Sequence, residues 1–201
     1  MKTKLPLFAV GLLAALFAGC VVQSINPLFA EKEFIAFPNL VGTWAQKEGD
    51  KEQGVWVFAA DGQQYKLTHT DDSGHKAMFH VAAGQIGTNV FLDSFLEDLI
   101  PHGEMNDFAT VHLVPTHAFI KIRKTGAGLT LVLMDLDWLT KHLTENPKAL
   151  AHIMRPSGGG DERWPLLTAS TGELQKFVAQ YANDDKVFKN EIKLVPKPSA
   201  K

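Results

Sequence analysis

The sequence predicts a mainly β domain (α+β by content). Its core is an antiparallel meander forming a barrel or a strongly curved sheet, with two short helices inserted and one amphipathic helix near the C-terminus. Three observations carry this. Short apolar or period-two runs follow one another between Leu40 and Met134, separated by glycine-bearing turns. After Asp135 the apolar spacing becomes helical. A last strand, residues 191–195, follows the final helix. Consecutive strands joined by short turns describe a meander, not a repeated strand–helix–strand unit.

The elements follow in order. Residues 40–46 are short, apolar and carry Trp44. Residues 55–58 precede Asp61-Gly62, a hairpin turn signal, and residues 64–68 alternate with a period of two. Asp71-Asp72-Ser73-Gly74 is a second turn, followed by strands at 77–83 and 89–95. Residues 112–124 and 128–134 read as a hairpin across Thr125-Gly126-Ala127-Gly128. Residues 137–144 read as a short helix through Trp138, Leu139 and Leu143. Asn146-Pro147 fits a second helix start, Asn as cap and Pro at the first helical position, running to Met154. Residues 157–161 are a glycine loop. Ser170 and Glu173 form a capping-box pair, and Leu174, Phe177, Val178 and Tyr181 then share one helical face.

Composition bounds the function. An apolar content of 45% and a charged content of 21% are ordinary for one globular domain with a real core. The formal charge of -2 argues against nucleic acid, which requires a basic face. The chain divides into residues 1–19, a phenylalanine-rich arm at 20–40, one domain at 41–196 and a fraying tail at 197–201.

The first nineteen residues read as an export signal. Lys2 and Lys4 precede an apolar run from Leu5 to Ala18, shorter than the ~20 residues a membrane-crossing helix needs. The run ends in Leu16-Phe17-Ala18-Gly19-Cys20, which resembles the lipobox of bacterial lipoproteins, with Phe17 where leucine is usual. The resemblance implies cleavage before Cys20, acylation of its sulfur and new amino group, and a cell-envelope location at the membrane. Val21 in place of aspartate implies the outer membrane in a Gram-negative envelope. Cys20 is the one cysteine of the chain, so no internal disulfide competes for it. Only residues 21–26 look free as a tether, a reach of about 20 Å. Phe29, Phe34 and Phe37 follow and should pack on the domain.

Gly42-Thr43-Trp44 on a first strand resembles the opening motif of lipocalins and their calycin relatives, small antiparallel barrels whose interior often holds an apolar ligand. The order of a meander, a late helix and a final strand is similar too. The resemblance implies that Trp44 plugs the barrel base. Lipocalins usually pack an arginine from beyond the late helix on that tryptophan; here only Lys189 and Lys193 are offered. Ile25-Asn26-Pro27-Leu28-Phe29, leading to Leu40–Trp44, also resembles uncharacterised bacterial lipoproteins, which implies no activity.

Chemistry is sparse. The eight histidines show no two-histidine helical spacing with a glutamate, so no metal is expected. His69 and His75 flank a turn and could face each other across a hairpin. His112 and His117 have opposite strand parity. His80 and His102 add no metal spacing, and His142 and His152 fall on separate predicted helices. Ser157 lacks a nucleophile elbow, and the glycines after it lack the ending of a phosphate loop. Asp135 and Asp137 could be an acid pair or helix caps. No catalytic residue or cofactor is expected. Trp56, Phe58, Phe79, Phe91 and Phe119 lie on predicted strands, where they either line a ligand cavity or fill a solid core. The expectation is a lipid-anchored envelope protein that binds a small apolar molecule or lipid. An interaction protein with a filled core, and a hydrolase, are the alternatives.

Overall fold

The computed structural model describes residues 21–99, 114–156 and 162–198. Its strands are β1 (Gln23–Ser24), β2 (Gly42–Glu48), β3 (Lys51–Asp61), β4 (Gln64–Asp71), β5 (Lys76–Ile86), β6 (Asn89–Leu99), β7 (His117–Thr125), β8 (Gly128–Met134), β9 (His152–Pro156), β10 (Arg163–Leu167) and β11 (Phe188–Pro196). The α-helices are α1 (Leu136–Glu145) and α2 (Thr171–Tyr181).

Strands β2 to β8 pair antiparallel, each with the next. β11 fills the gap between β8 and β2, so the sheet closes as an eight-stranded antiparallel barrel. This up-and-down architecture is compatible with a lipocalin-like fold. Glycines make the tight reversals: Gly49, Gly62, Gly87 and Gly126 all have φ near +60°, a region that glycine enters without steric cost. The strands are longer than their apolar signals, because β3, β5 and β6 continue into charged ends.

The wall separates two cores. Inside, Leu40, Trp44, Phe58, Leu67, Leu92, Ile120, Leu131 and Leu194 belong to one buried cluster. Outside, α1, α2 and the N-terminal arm bury Leu28, Phe29, Phe91, Phe119, Leu139, Phe177 and Phe188 in another. The arm is part of the same sheet. β1 pairs parallel with β10 and antiparallel with β7, and β10 pairs with β9.

Three expectations need correction. Residues 21–26 are not a free tether: β1 is paired on both sides within the sheet, and Val22 and Ser24 are buried. No helix starts at Asn146. Its amide and its side-chain NH2 both donate to the His142 carbonyl, so Asn146 ends α1, and Pro147 follows as a stop. The chain then turns into β9, which pairs with β10, so α1 is the one helix observed in the insert. β7 starts at His117, not at His112, and residue 112 lies outside the described residues. The signal, Cys20, His102 and the glycine loop also lie outside them.

Candidate functional site

One end of the barrel is stoppered. The Trp44 indole N–H donates to the Leu40 carbonyl at 2.8 Å, and Leu40 ends a short 3-10 turn, Pro38–Leu40. The Tyr65 hydroxyl accepts from the Phe37 amide at 2.7 Å, tying the arm across the same end. Trp44, placed at the barrel base by resemblance, thus sits in that stopper, 8% exposed. Lys189 reaches Asp135 instead of the indole, and Lys193 is exposed, opposite Lys47 in the sheet register.

Above the stopper the lumen is hollow. A cavity of about 1340 Å³ reaches solvent at the end that carries the β2–β3 and β4–β5 turns. Its apolar wall includes Trp56, Phe58, Leu67, Phe79, Leu92, Ile120 and Leu131. Its rim carries Glu48, Lys51, Glu52, Asp71 and Asp72. Two of the rim carboxylates have side-chain partners: Glu52 meets Lys47 and Lys197, and Asp71 meets the His75 ring.

Four polar side chains punctuate the lumen. Buried Gln46 accepts from the Trp56 indole at 3.0 Å. The Ser94 hydroxyl donates to the Ala118 carbonyl at 3.1 Å. The Asn190 side chain donates to Asp135 at 3.3 Å. The His69 ring lies 4.7 Å from that of Trp56, and its Nε2 is buried with no hydrogen-bond partner. Burial pushes the His69 pKa down from 6.5, against the opposing pull of Asp71, so its neutral form is favoured. A hollow apolar site with a few fixed polar groups holds a small molecule by exclusion of water, with the polar groups setting orientation.

The structure brings together three of the five rings read from the sequence. Trp56, Phe58 and Phe79 line the cavity. Phe91 and Phe119 do not: both belong to the outer core, each between two lumen-facing neighbours of opposite parity. Parity from Trp44 points to Gln46, and parity from Leu67 points to His69; both signals were available in the sequence. Nothing in the sequence marked Val21, Ser94 or Asn190.

The other candidates have structural partners. Asp135 caps α1, accepting from the Trp138 amide at 2.7 Å, and pairs with Lys189 at 2.9 Å. Asp137 is exposed in the first turn of that helix. The Glu173 carboxylate accepts from the Ser170 amide and hydroxyl at the start of α2. His69 and His75 do not face each other: His69 points into the lumen, and His75 sits in the turn beside Asp71. His117 pairs with buried Asp93 at 2.9 Å, whose other oxygen accepts from the Leu28 amide at 2.7 Å. His142 stacks on Trp138, His80 approaches Glu97, and His152 lies on β9. Among the described residues no group of three or more His, Asp, Glu or Cys side chains is placed to hold a metal ion.

Compared with protein-family models, curated proteins and solved structures, the chain has no match in any of the three. The lumen geometry therefore carries the functional reading.

Proposed function

We propose that this is a lipid-anchored protein of a bacterial cell envelope whose barrel binds a small apolar molecule or lipid. The observation that supports the binding is the cavity of about 1340 Å³, walled by aromatic and aliphatic side chains and open at one end. It exceeds the roughly 300–1,000 Å³ of ordinary small-molecule sites, which favours an extended, flexible ligand. The anchor rests on the resemblance of Leu16-Phe17-Ala18-Gly19-Cys20 to a lipobox. Acyl chains on Cys20 would make the membrane the first partner. No reaction is assigned to the site.

Two measurements test this. The Cys20→Ser protein, which carries no acyl chain of its own, titrated with N-phenyl-1-naphthylamine should enhance the dye's emission in a saturable way, and native mass spectrometry should detect retained apolar ligand. A protein that binds no dye and retains nothing refutes the binding. Cys20→Ser should abolish incorporation of labelled palmitate; unchanged labelling refutes the anchor.

A further inference from the structure

We infer that the lumen receives an acyl chain carried by Cys20 of the same molecule. The inference rests on the lipid-anchored, lipid-binding reading above, and goes further by naming the occupant.

The arm meets the barrel at the edge of β7. β8 pairs with β7 only as far as Val132 opposite Lys121. Nearer the open end the edge of β7 is taken by β1, with Gln23 opposite Ala118 and Ser24 opposite His117. The pairing is antiparallel, so the chain read backwards from Ser24 to Gln23 advances along β7 away from the rim. Alternation then separates the next two residues. Val22 is 2% exposed and belongs to the outer core. Val21 packs against the lumen cluster and lines the cavity, together with Ala118, Ile120 and Leu133.

The residue bonded to Val21 is Cys20. Consecutive α-carbons are about 3.8 Å apart, so an acyl chain on Cys20 is attached one residue from a side chain that lines the lumen. The lumen offers that substituent an apolar container of about 1340 Å³. Each methylene moved out of water adds to the gain, and the lumen offers that gain as the bilayer does, so the two compete for a chain attached beside the cavity. A second chain on the same residue remains available to the bilayer. Occupation by its own chain would make the cavity a store that opens when that chain moves into the membrane.

The experiment uses full-length protein from cells fed 9,10-dibromostearate, placed in vesicles of unbrominated phosphatidylcholine. Bromine quenches tryptophan only at short range, and Trp56 lines the cavity. Mass spectrometry first establishes that Cys20 carries brominated chains; an unmodified Cys20 overturns the anchor and this inference with it. With the chains present, tryptophan emission should fall relative to protein from unfed cells, and Trp56→Phe should reduce that loss, leaving at most the part due to Trp44 in the stopper; an undiminished loss overturns the inference. If Trp56→Phe does not fold, Phe79→Trp supplies the counterpart, a second lumen reporter whose emission is also quenched. Unquenched emission overturns the inference. Free dibromostearate added to protein from unfed cells then separates the two failures: quenching there means the lumen takes lipid but not its own chain, and no quenching means the lipid-binding reading fails as well.

Discussion

At the scale of single residues, Gly84 gives the sharpest expectation. A Cβ on Gly84 would lie 2.5 Å from three ring atoms of Phe29, a residue of the N-terminal arm that is 2% exposed. The ring cannot move without leaving the outer core. Gly84→Ala should lower stability by about 1–3 kcal/mol, the usual range for overpacking. The urea midpoint should fall with unchanged slope, and Phe29→Leu in the same chain should recover part of the loss. Asp135 carries a pH signature. Burial pushes its carboxyl up, but hydrogen bonds from Lys189, the Trp138 amide and Asn190 outweigh that and hold its pKa below 3.8. A lowered folded-state value contributes stability that is present above the unfolded value and lost as pH falls through the folded one. Asp135→Asn keeps a cap for α1 but loses the charge that faces Lys189, so it should cost up to about 1 kcal/mol at neutral pH, and the deficit should shrink below pH ~4. Urea melts at several pH values check this; a deficit that does not change with pH refutes the assignment. His69 has the opposite chemistry and the same direction. Its pKa lies below 6.5, so the unfolded chain binds the extra proton first, and stability should decline as pH drops below 6.5. His69→Gln should flatten that decline. The two roles differed in legibility. Asp135 before a helix read as a common cap with an acid pair as the alternative, and the packed Lys189 and Trp138 amide give it the cap role.

At the scale of elements, what the sequence revealed depended on how many sides of each strand are wet. β4 keeps one exposed face near the base, so Tyr65 and Leu67 alternate visibly with exposed Lys66. β8 does not: after Gly128 every residue to Met134 is buried, because the lumen lies on one side and the helices on the other. Where both faces are apolar the period vanishes, and inward and outward rings look alike. That is why Phe91 and Phe119 passed for lumen residues beside Trp56, Phe58 and Phe79. The misread helix after α1 has a different cause. Asn followed by Pro marks a helix start or a helix end equally well, and the choice was made by pairing of β9 with β10, which is not local. The closing of α2 depends on a buried lysine that no pattern announced. Lys121 Nζ donates to the Ala182 carbonyl at 2.8 Å at the C-terminal end of α2 and lies 5.2 Å from the Phe188 ring centre. A cation at that end complements the helix dipole. Lys121→Met keeps the stem and removes the donor. It should cost about 1–3 kcal/mol, since a buried carbonyl loses its partner. Hydrogen exchange should quicken in the last turn of α2 ahead of the barrel strands; uniform quickening of both refutes this role.

At the scale of the whole molecule, two cores share one wall, and neighbouring residues on β7 therefore answer to different functions. Phe119 is 2% exposed in the outer core, and Ile120 is 8% exposed on the lumen side. The outer core is packed without the cavity and holds the helices and arm against the barrel, so Phe119→Ala should cost about 3–5 kcal/mol, as deletion of a packed ring does. It should leave dye affinity unchanged in the fraction that remains folded, since no atom of Phe119 reaches the lumen wall. Ile120 borders the cavity of about 1340 Å³, and a larger side chain there has void to grow into. Ile120→Trp should change stability by less than about 1 kcal/mol, the added surface being accommodated without strain. It should weaken N-phenyl-1-naphthylamine binding about tenfold or more by occupying the space the dye uses. The pair is a double dissociation read by thermal or urea melts and dye titration on the same samples. If Phe119→Ala weakens dye binding as much as Ile120→Trp does, then binding follows overall stability, the two faces of the wall are not separable, and the lumen loses its claim to be the site. If Ile120→Trp leaves binding intact, the dye sits elsewhere on the molecule. Only the combination of a stable, closed lumen and an unstable, competent one places the ligand inside the barrel.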